Sequence, residues 1–460
     1  MNALILISLL GIAVLFAGIF NLKNRSIYLA VMGLVAAVAL NIGDWGTNVS
    51  YYNNMVQFDN YALAFSSLMT ITTALVLLLG FHFYKNGDGS TVDLYALMLF
   101  TLVGGICLVS YSHLAVLFIG IEILSIPLYI LAGSKRDSLS SNEAGMKYFL
   151  MGAFASGFLL FGIALVFVST GSFHLAEIGS AISSGSVENK GVLSVGILLM
   201  LAGFLFKVAA VPFHFWAPDV YEGSPTLVTG LMATVVKTAG FGALYKLYQG
   251  SFANMEGIWF DALWTVAAIT LLVGNISALY QKGIKRLLAY SSVSHAGYMM
   301  LAILALNTQA GNAIFFYSIA YSVATVAAFA LLIAVIDLRG TDTLEAIKGL
   351  GHKKPFLGFA MSVAFLSLAG IPPMAGFMAK YYLFKTAIEM NLIWIVIVAV
   401  ISSIIGAYYY LRVIATLYQK TDGETNPVSF DWAFYSVVGL TLVGTLVVGL
   451  FPEQLLTILG

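Results

Sequence analysis

Apolar stretches of about 20 residues alternate along this chain with short polar breaks, a pattern with the length of bilayer-crossing helices and without the two-residue alternation of strands. It predicts about fourteen spans. Their approximate limits are 2–20, 27–44, 61–84, 93–110, 114–133, 142–169, 192–216, 226–249, 259–280, 284–307, 312–338, 357–388, 392–418 and 430–452. Only Tyr111, Ser112 and His113 separate the fourth from the fifth. The opening segment, MNALILISLLGIAVLFAGIF, lacks a basic n-region and a small-residue cleavage site, so it is expected as a retained helix and not a signal peptide.

Two spans carry proline well inside their apolar run: Pro212 in the seventh, and Pro372 with Pro373 in the twelfth. Proline removes a backbone donor and clashes with the preceding turn, so both helices are expected to be broken. Inside a membrane such breaks survive only where protein or a watery cavity satisfies the freed groups. The breaks are five spans apart, which suggests two five-helix repeats, spans 4–8 and 9–13. An odd-numbered repeat enters its second copy inverted, as in many transporters. The fold class is therefore an all-α polytopic membrane protein with two inverted repeats. The expected division is 1–92 (spans 1–3), 93–250 (first repeat), 251–420 (second repeat) and 421–460 (span 14).

Composition agrees with a membrane chain and narrows its chemistry. Hydrophobic residues make up 60%, charged residues 9%, and the mean hydropathy is +0.95. Soluble domains carry roughly a quarter charged residues. A formal net charge of zero argues against a nucleic-acid partner. The single cysteine, Cys107, can neither form an internal disulfide nor hold an iron–sulfur cluster, and is read as packing. No dinucleotide fingerprint, Walker loop or H-E-x-x-H motif is present, so no nucleotide, flavin or metal is expected in this chain. Basic residues such as Arg25, Lys135, Arg136, Lys282, Lys285, Arg286, Lys353 and Lys354 fall after odd-numbered spans. The other side has Lys190, with Lys246 and Lys385 at helix ends. By the positive-inside rule both termini are extracytoplasmic.

Four lysines do not fit a solvated loop: Lys147, Lys207, Lys237 and Lys380 lie within otherwise apolar spans. An ionisable group at such depth costs several kcal/mol and is a functional candidate by default. Lys237 sits mid-span, and Lys207 and Lys380 each adjoin a proline break; Lys147, a few residues into its span, fits a boundary anchor equally well. Glu122 is the one carboxylate at comparable depth. Charging all five groups leaves three surplus positive charges, so desolvation and like-charge repulsion favour proton exchange, with a Glu–Lys ion pair as the switch. His295, beside Ser291, Ser292 and Ser294, suits a relay or a packing role. His214, just past Pro212, suits proton exchange or, preferably, a cap. Asp219 and Glu222, in a loop on the basic side, are candidates for a proton entrance or a subunit contact.

The strings KVAAVPFHFWAPDVYEGSPT, IEILSIPLYIL, NEAGMKYFLMGAFASGFLLFG, KRLLAYSSVSHAGYM and LAGIPPMAGFMAKYYLF resemble the N-type subunits of the bacterial proton-pumping NADH:quinone oxidoreductase, respiratory complex I, over essentially the whole chain. That resemblance implies an antiporter-like fold in the bacterial inner membrane. It also implies proton translocation through Glu122, Lys207, Lys237 and Lys380, with Lys147 and His295 on the same polar axis. NAD, FMN, iron–sulfur clusters and quinone would belong to partner subunits, and the neighbours would be M-type and K-type antiporter-like subunits in a hetero-oligomer. Two other readings stand beside it: a subunit of a multisubunit cation/proton antiporter, and a structural spacer that conducts nothing.

Overall fold

The computed structural model describes residues 1–20, 23–84, 91–421, 428–456 and 458. In chain order the helices are α1 (Asn2–Ile19), α2 (Lys23–Gly43), α3 (Asn60–Phe83), α4 (Thr91–Ser110), α5 (Leu114–Ala132), α6 (Leu139–Thr170), α7 (Leu175–Ser183), α8 (Lys190–Lys207), α9 (Trp216–Gly223), α10 (Thr226–Leu231), α11 (Lys237–Leu247), α12 (Glu256–Leu279), α13 (Ile284–Ala305), α14 (Ala310–Arg339), α15 (Leu350–Lys353), α16 (Pro355–Ala369), α17 (Ala375–Glu389), α18 (Ile393–Leu417), α19 (Trp432–Leu450) and α20 (Glu453–Leu456). Among the described residues, twelve helical runs are long and apolar enough to cross a membrane. One of them, Thr226–Leu279, takes in both the eighth and the ninth expected spans. The expected twelfth span is divided into α16 and α17, of 15 residues each.

One short element lies outside the helical pattern. Val49–Tyr51 (β1) and Val56–Phe58 (β2) pair as an antiparallel hairpin at one end of the bundle. Its turn runs through Tyr52, Asn53 and Asn54, all with positive φ, a region asparagine enters more readily than most residues. The weak boundary between the fourth and fifth spans is closed from this side, by a bridge between Tyr111 and Val56. His113 then caps α5, accepting from Ala115 N–H at 3.2 Å. Asp59 and Asp431 cap α3 and α19 in the same way, at 2.7 and 3.0 Å, each satisfying an amide that a helix start leaves without a partner.

Both proline breaks occur where expected, and the freed groups find partners. Between α8 and α9, Ala209 takes a positive φ of 58°. Trp216 Nε1 donates to the Phe206 carbonyl at 3.0 Å, and Val211 N–H donates to Thr270 Oγ1 at 3.0 Å. Between α16 and α17, Gly370 ends α16 at φ +81°, a conformation that costs a residue without a Cβ least. Its N–H returns to Leu366 and Ser367. The sequence pattern did not expect the two π-helical turns, Met232–Val236 and Tyr248–Phe252, that bracket α11. Such turns are rare and concentrate at functional sites. The first delivers Lys237.

α13 and α14 are buried along nearly their whole length and form the centre of the bundle. A helix buried all round needs no single apolar stripe, which lets α13 carry Ser291, Ser292, Ser294 and His295 at its middle. α6 and α18 stand at the periphery, with Phe154, Phe161, Val168, Trp394, Ile404 and Tyr408 exposed.

Candidate functional site: a row of buried ionisable groups

At one end of the row stands Lys207, the last residue of α8 and only 6% exposed. Its ammonium does not pair with Glu122. It donates instead to Ser125 Oγ at 2.7 Å and lies 5.6 Å from the centre of the Tyr148 ring. Ser125 is one turn beyond Glu122 on α5, so both face the same neighbour. Glu122 is within electrostatic range of Lys207, yet its Oε1 is buried and has no hydrogen-bond partner. A buried carboxylate oxygen left without a partner is costly, so Glu122 stands near Lys207 with part of its hydrogen-bonding capacity unfilled. Tyr148 stacks on Trp216 at 4.6 Å, and its hydroxyl is also buried and unpaired.

Lys237, 3% exposed, forms the centre. Its Nζ donates to Ser292 Oγ at 2.7 Å and also to the Ser292 carbonyl. Tyr321 turns its ring face to the same ammonium, with 5.7 Å between Nζ and the centroid. Beyond Ser292 the row continues along α13 and α14. His295 Nδ1 is 2.6 Å from Tyr317 Oη, its Nε2 is 3.2 Å from Tyr410 Oη, and the Tyr321 ring lies 4.7 Å away. Tyr410 Oη in turn hydrogen-bonds Ser291 Oγ. An imidazole with a hydroxyl on each nitrogen can take a proton on one side and release one on the other.

Lys380 ends the row on α17, one turn past the second break and 6% exposed. Its Nζ donates to the Ala369 carbonyl at 2.8 Å and to Ser403 Oγ at 2.9 Å, over the Tyr298 ring at 4.8 Å. The three lysines of the row, Lys207, Lys237 and Lys380, therefore share one design: neutral oxygen acceptors and an aromatic face, with no carboxylate in contact. Neutral acceptors and a π-face favour an ammonium less than a carboxylate would.

Of the two positions open to Lys147, the structure displays the one at the boundary. Its side chain is 40% exposed and bonds Glu143 at 2.6 Å and Asp219 at 2.8 Å. Arg286 completes the cluster, 2.9 Å from Asp219 and 2.5 Å from Glu222. Lys147 is thus a member of a surface ion cluster joining α6, α9 and α13. Burial opposes ionisation of Asp219, but hydrogen bonds from Lys147 and Arg286 outweigh it and hold its carboxyl below the usual value. The contribution of this cluster is therefore complete above the ordinary carboxylate range, around pH 4, and is lost as pH falls through the depressed value. Exposed pairs contribute little, so Lys147→Met is expected to leave proton translocation within about twofold of wild type, measured in membrane vesicles at pH 7.

His214 is 6% exposed and its Nδ1 has no hydrogen-bond partner. Its side chain does not cap α9, so the preferred capping reading is not what the structure displays. Sequence reasoning overlooked Lys285, placed on a loop by its pattern. It is 7% exposed, and its Nζ donates to the carbonyls of Glu222, at 3.1 Å, and Ser224. It also overlooked the tyrosines, although Tyr317 and Tyr321, four residues apart on α14, carried a readable signal.

Comparison with known proteins places this geometry in context. The family described as "NADH:quinone oxidoreductase/Mrp antiporter, TM" matches residues 112–406. The NADH-quinone oxidoreductase subunit N of Trichlorobacter lovleyi is 40% identical over 98% of this chain and 94% of that protein. Its counterpart in Flavobacterium psychrophilum is 42% identical, with both chains covered completely. A chain of respiratory complex I from Thermus thermophilus with bound aureothin superposes with a TM-score of 0.85 at 34% identity, covering 99% of this chain and 98% of that one. A chain of the Mrp complex from Dietzia sp. DQ12-45-1b, at 21% identity, gives a TM-score of 0.86 over 99% of this chain and 95% of its own, a likeness of fold alone.

Proposed function

Because the chain belongs to the subunit N group of the NADH:quinone oxidoreductase/Mrp antiporter membrane family, we propose that its buried row conducts protons across the membrane when quinone is reduced in neighbouring subunits. The chain is an antiporter-like, multi-pass subunit of the membrane arm of that enzyme. The observation that carries the proposal is the series of nearly inaccessible ammonium groups, Lys207, Lys237 and Lys380, each held by hydroxyl or carbonyl oxygens and an aromatic ring. A static structural cation would be matched by a carboxylate, since an unmatched buried charge is costly.

In this reading Glu122 and Lys207 form the input switch. With Glu122 apart from Lys207, as here, Lys207 can release its proton; closing the pair would hold it. Lys237, Ser292 and His295 carry the proton through the centre, and Lys380 delivers it at the output. Transfer from Lys207 to Lys237 would run through water, past the stacked rings of Tyr148 and Trp216 beside Lys207. The helices divide into two inverted five-helix repeats, each contributing one broken helix, and the basic end of the bundle faces the cytoplasm in the bacterial inner membrane. M-type and K-type antiporter-like subunits flank the chain, and NAD, flavin, iron–sulfur clusters and quinone are held by other subunits.

The test is proton translocation by the purified assembly in liposomes, driven by NADH and a short-chain quinone. Glu122→Gln keeps the shape and removes the charge of the switch, and is expected to lower translocation roughly fivefold, about 1 kcal/mol of barrier. Full translocation by assembled Glu122→Gln and Lys207→Met complexes would assign a spacer role. Sodium-dependent exchange in the absence of NADH would assign an antiporter.

A further inference from the structure

Asn275 is a polar side chain in the apolar helix α12, 1% exposed, and no part of the row described above. Its carboxamide is completely engaged. Nδ2 gives its two hydrogens to the Leu271 carbonyl at 3.0 Å and to Ser402 Oγ at 2.6 Å, while Oδ1 accepts from Tyr409 Oη at 2.9 Å. The donors of Ser402 and Tyr409 are thereby committed, because Ser402 Oγ gives its own proton to the Leu271 carbonyl at 2.6 Å. What each hydroxyl still offers its other neighbours is lone pairs. Gly406 makes room for the arrangement, since a Cβ there would stand 3.0 Å from Asn275 Oδ1.

This acceptor-rich cluster lies between two members of the row. On one side, the Tyr409 ring is 4.4 Å from that of Tyr410, which contacts His295, and its hydroxyl faces Ser291 and Ser294. On the other side, Ser403, the neighbour of Ser402, binds Lys380. Tyr298 joins the two. Its ring lies under the Lys380 ammonium, while its hydroxyl, buried and without a partner, faces Asn275, Ser402 and Ser403. An unpartnered buried hydroxyl aimed into a set of acceptors marks a place where a proton-bearing group or water belongs.

We propose that Asn275 is a positioning residue of the output end: by fixing the hydroxyl protons of Tyr409 and Ser402, it lines the route from the His295–Tyr410 pair to Lys380 with acceptors. An amide passes a proton on poorly, so Asn275 orients the route without carrying the charge. As the His295 imidazolium gives its Nε2 proton to Tyr410 Oη, Tyr410 releases its own hydroxyl proton to water held by these acceptors, and one proton reaches the neutral amine of Lys380, so that a single positive charge passes from imidazolium to ammonium. The inference rests on the proton-conducting reading above and adds residues that reading does not use.

The experiment measures NADH-driven proton translocation by the intact complex in vesicles for Asn275→Leu, Tyr409→Phe and the double variant, alongside the amount of assembled complex. Each single variant is expected to translocate roughly fivefold more slowly, and the double variant no more slowly than the worse single one, because both act on one orientation. Translocation should also become more sensitive to D2O, which a packing defect would not cause. Wild-type rates in assembled Tyr409→Phe, or losses that multiply in the double variant, overturn the assignment. If Asn275→Leu does not assemble, Tyr409→Phe and Ser402→Ala are read in its place by the same criteria. Lys237→Met separates the two levels: normal translocation there sinks the conduction reading itself, whereas its loss together with an unaffected Tyr409→Phe sinks only the role of Asn275.

Discussion

Lys237→Met is expected to abolish most proton translocation, at least about tenfold or 1.4 kcal/mol of barrier, while leaving the complex assembled and no less heat-stable than wild type. The two halves of this expectation come from the same contacts. Lys237 Nζ is the donor to Ser292 Oγ and the Ser292 carbonyl, and in the proposed route it is the ionisable group that links Lys207 to His295. Methionine fills nearly the same volume in a site that is 3% exposed, so no cavity opens. Replacing a buried charge by an apolar side chain of similar size is commonly neutral or stabilising. Ser292 loses its donor, but its carbonyl remains within the α13 hydrogen-bond ladder. A variant that melts early would show that Lys237 holds the bundle together; one that is stable and silent would show that it carries protons. The comparison uses thermal unfolding of the purified complex and dye-reported acidification of vesicles.

The second large effect is structural and lies at the break between α16 and α17. Gly376→Ala would set a Cβ 1.8 Å from the Ser367 carbonyl oxygen, a backbone atom that cannot swing away. The same residue donates its N–H to Ser367 Oγ at 3.1 Å, so the first turn of α17 is clamped onto the last turn of α16. Gly449 of α19 packs closely against the same break, where an added Cβ would overlap the Pro373 carbonyl oxygen. Relieving such overlap requires a backbone shift, which in packed interiors costs roughly 1–3 kcal/mol and occasionally more. Lys380 is one turn beyond Gly376, so the shift would also withdraw its ammonium from Ala369 and Ser403. Gly376→Ala is expected to lower the yield of assembled complex several-fold and to silence what remains. Gly439→Ala, on an open face of α19 with nothing within 4 Å of the new Cβ, is the control and is expected to behave as wild type. Equal yields of the two variants would contradict the clamp.

Which residues were legible in advance depended on what their signal required. Lys207, Lys237 and Lys380 could be read directly, because a charge within twenty apolar residues is visible in one dimension and its cost is general. The proline breaks were legible for the same reason: the missing donor and the clash belong to the residue itself. Lys147 and Lys285 show where this kind of reading stops. Lys147 lies within an apolar span, but α6 is peripheral, and Asp219 and Glu143 meet its side chain at the surface. Lys285 lies at a helix start after a polar break, yet the turn between α9 and α10 covers it. The two lysines exchange their expected environments because a long side chain takes its surroundings from whichever helix packs against it.

The hydrophobic pattern by itself determined that the chain crosses a membrane many times, that two of its helices break, and that the interior holds more basic than acidic groups. These are properties of solvation and backbone chemistry, which act on each segment independently of its neighbours. Only the tertiary structure decided that Lys207 would hydrogen-bond Ser125 and leave Glu122 Oε1 unpaired, that Ser292 would hold Lys237, and that Tyr317 and Tyr410 would flank His295. Those contacts join different helices. Burial makes them necessary, because a polar group withdrawn from water must find its partner on whatever element lies next to it.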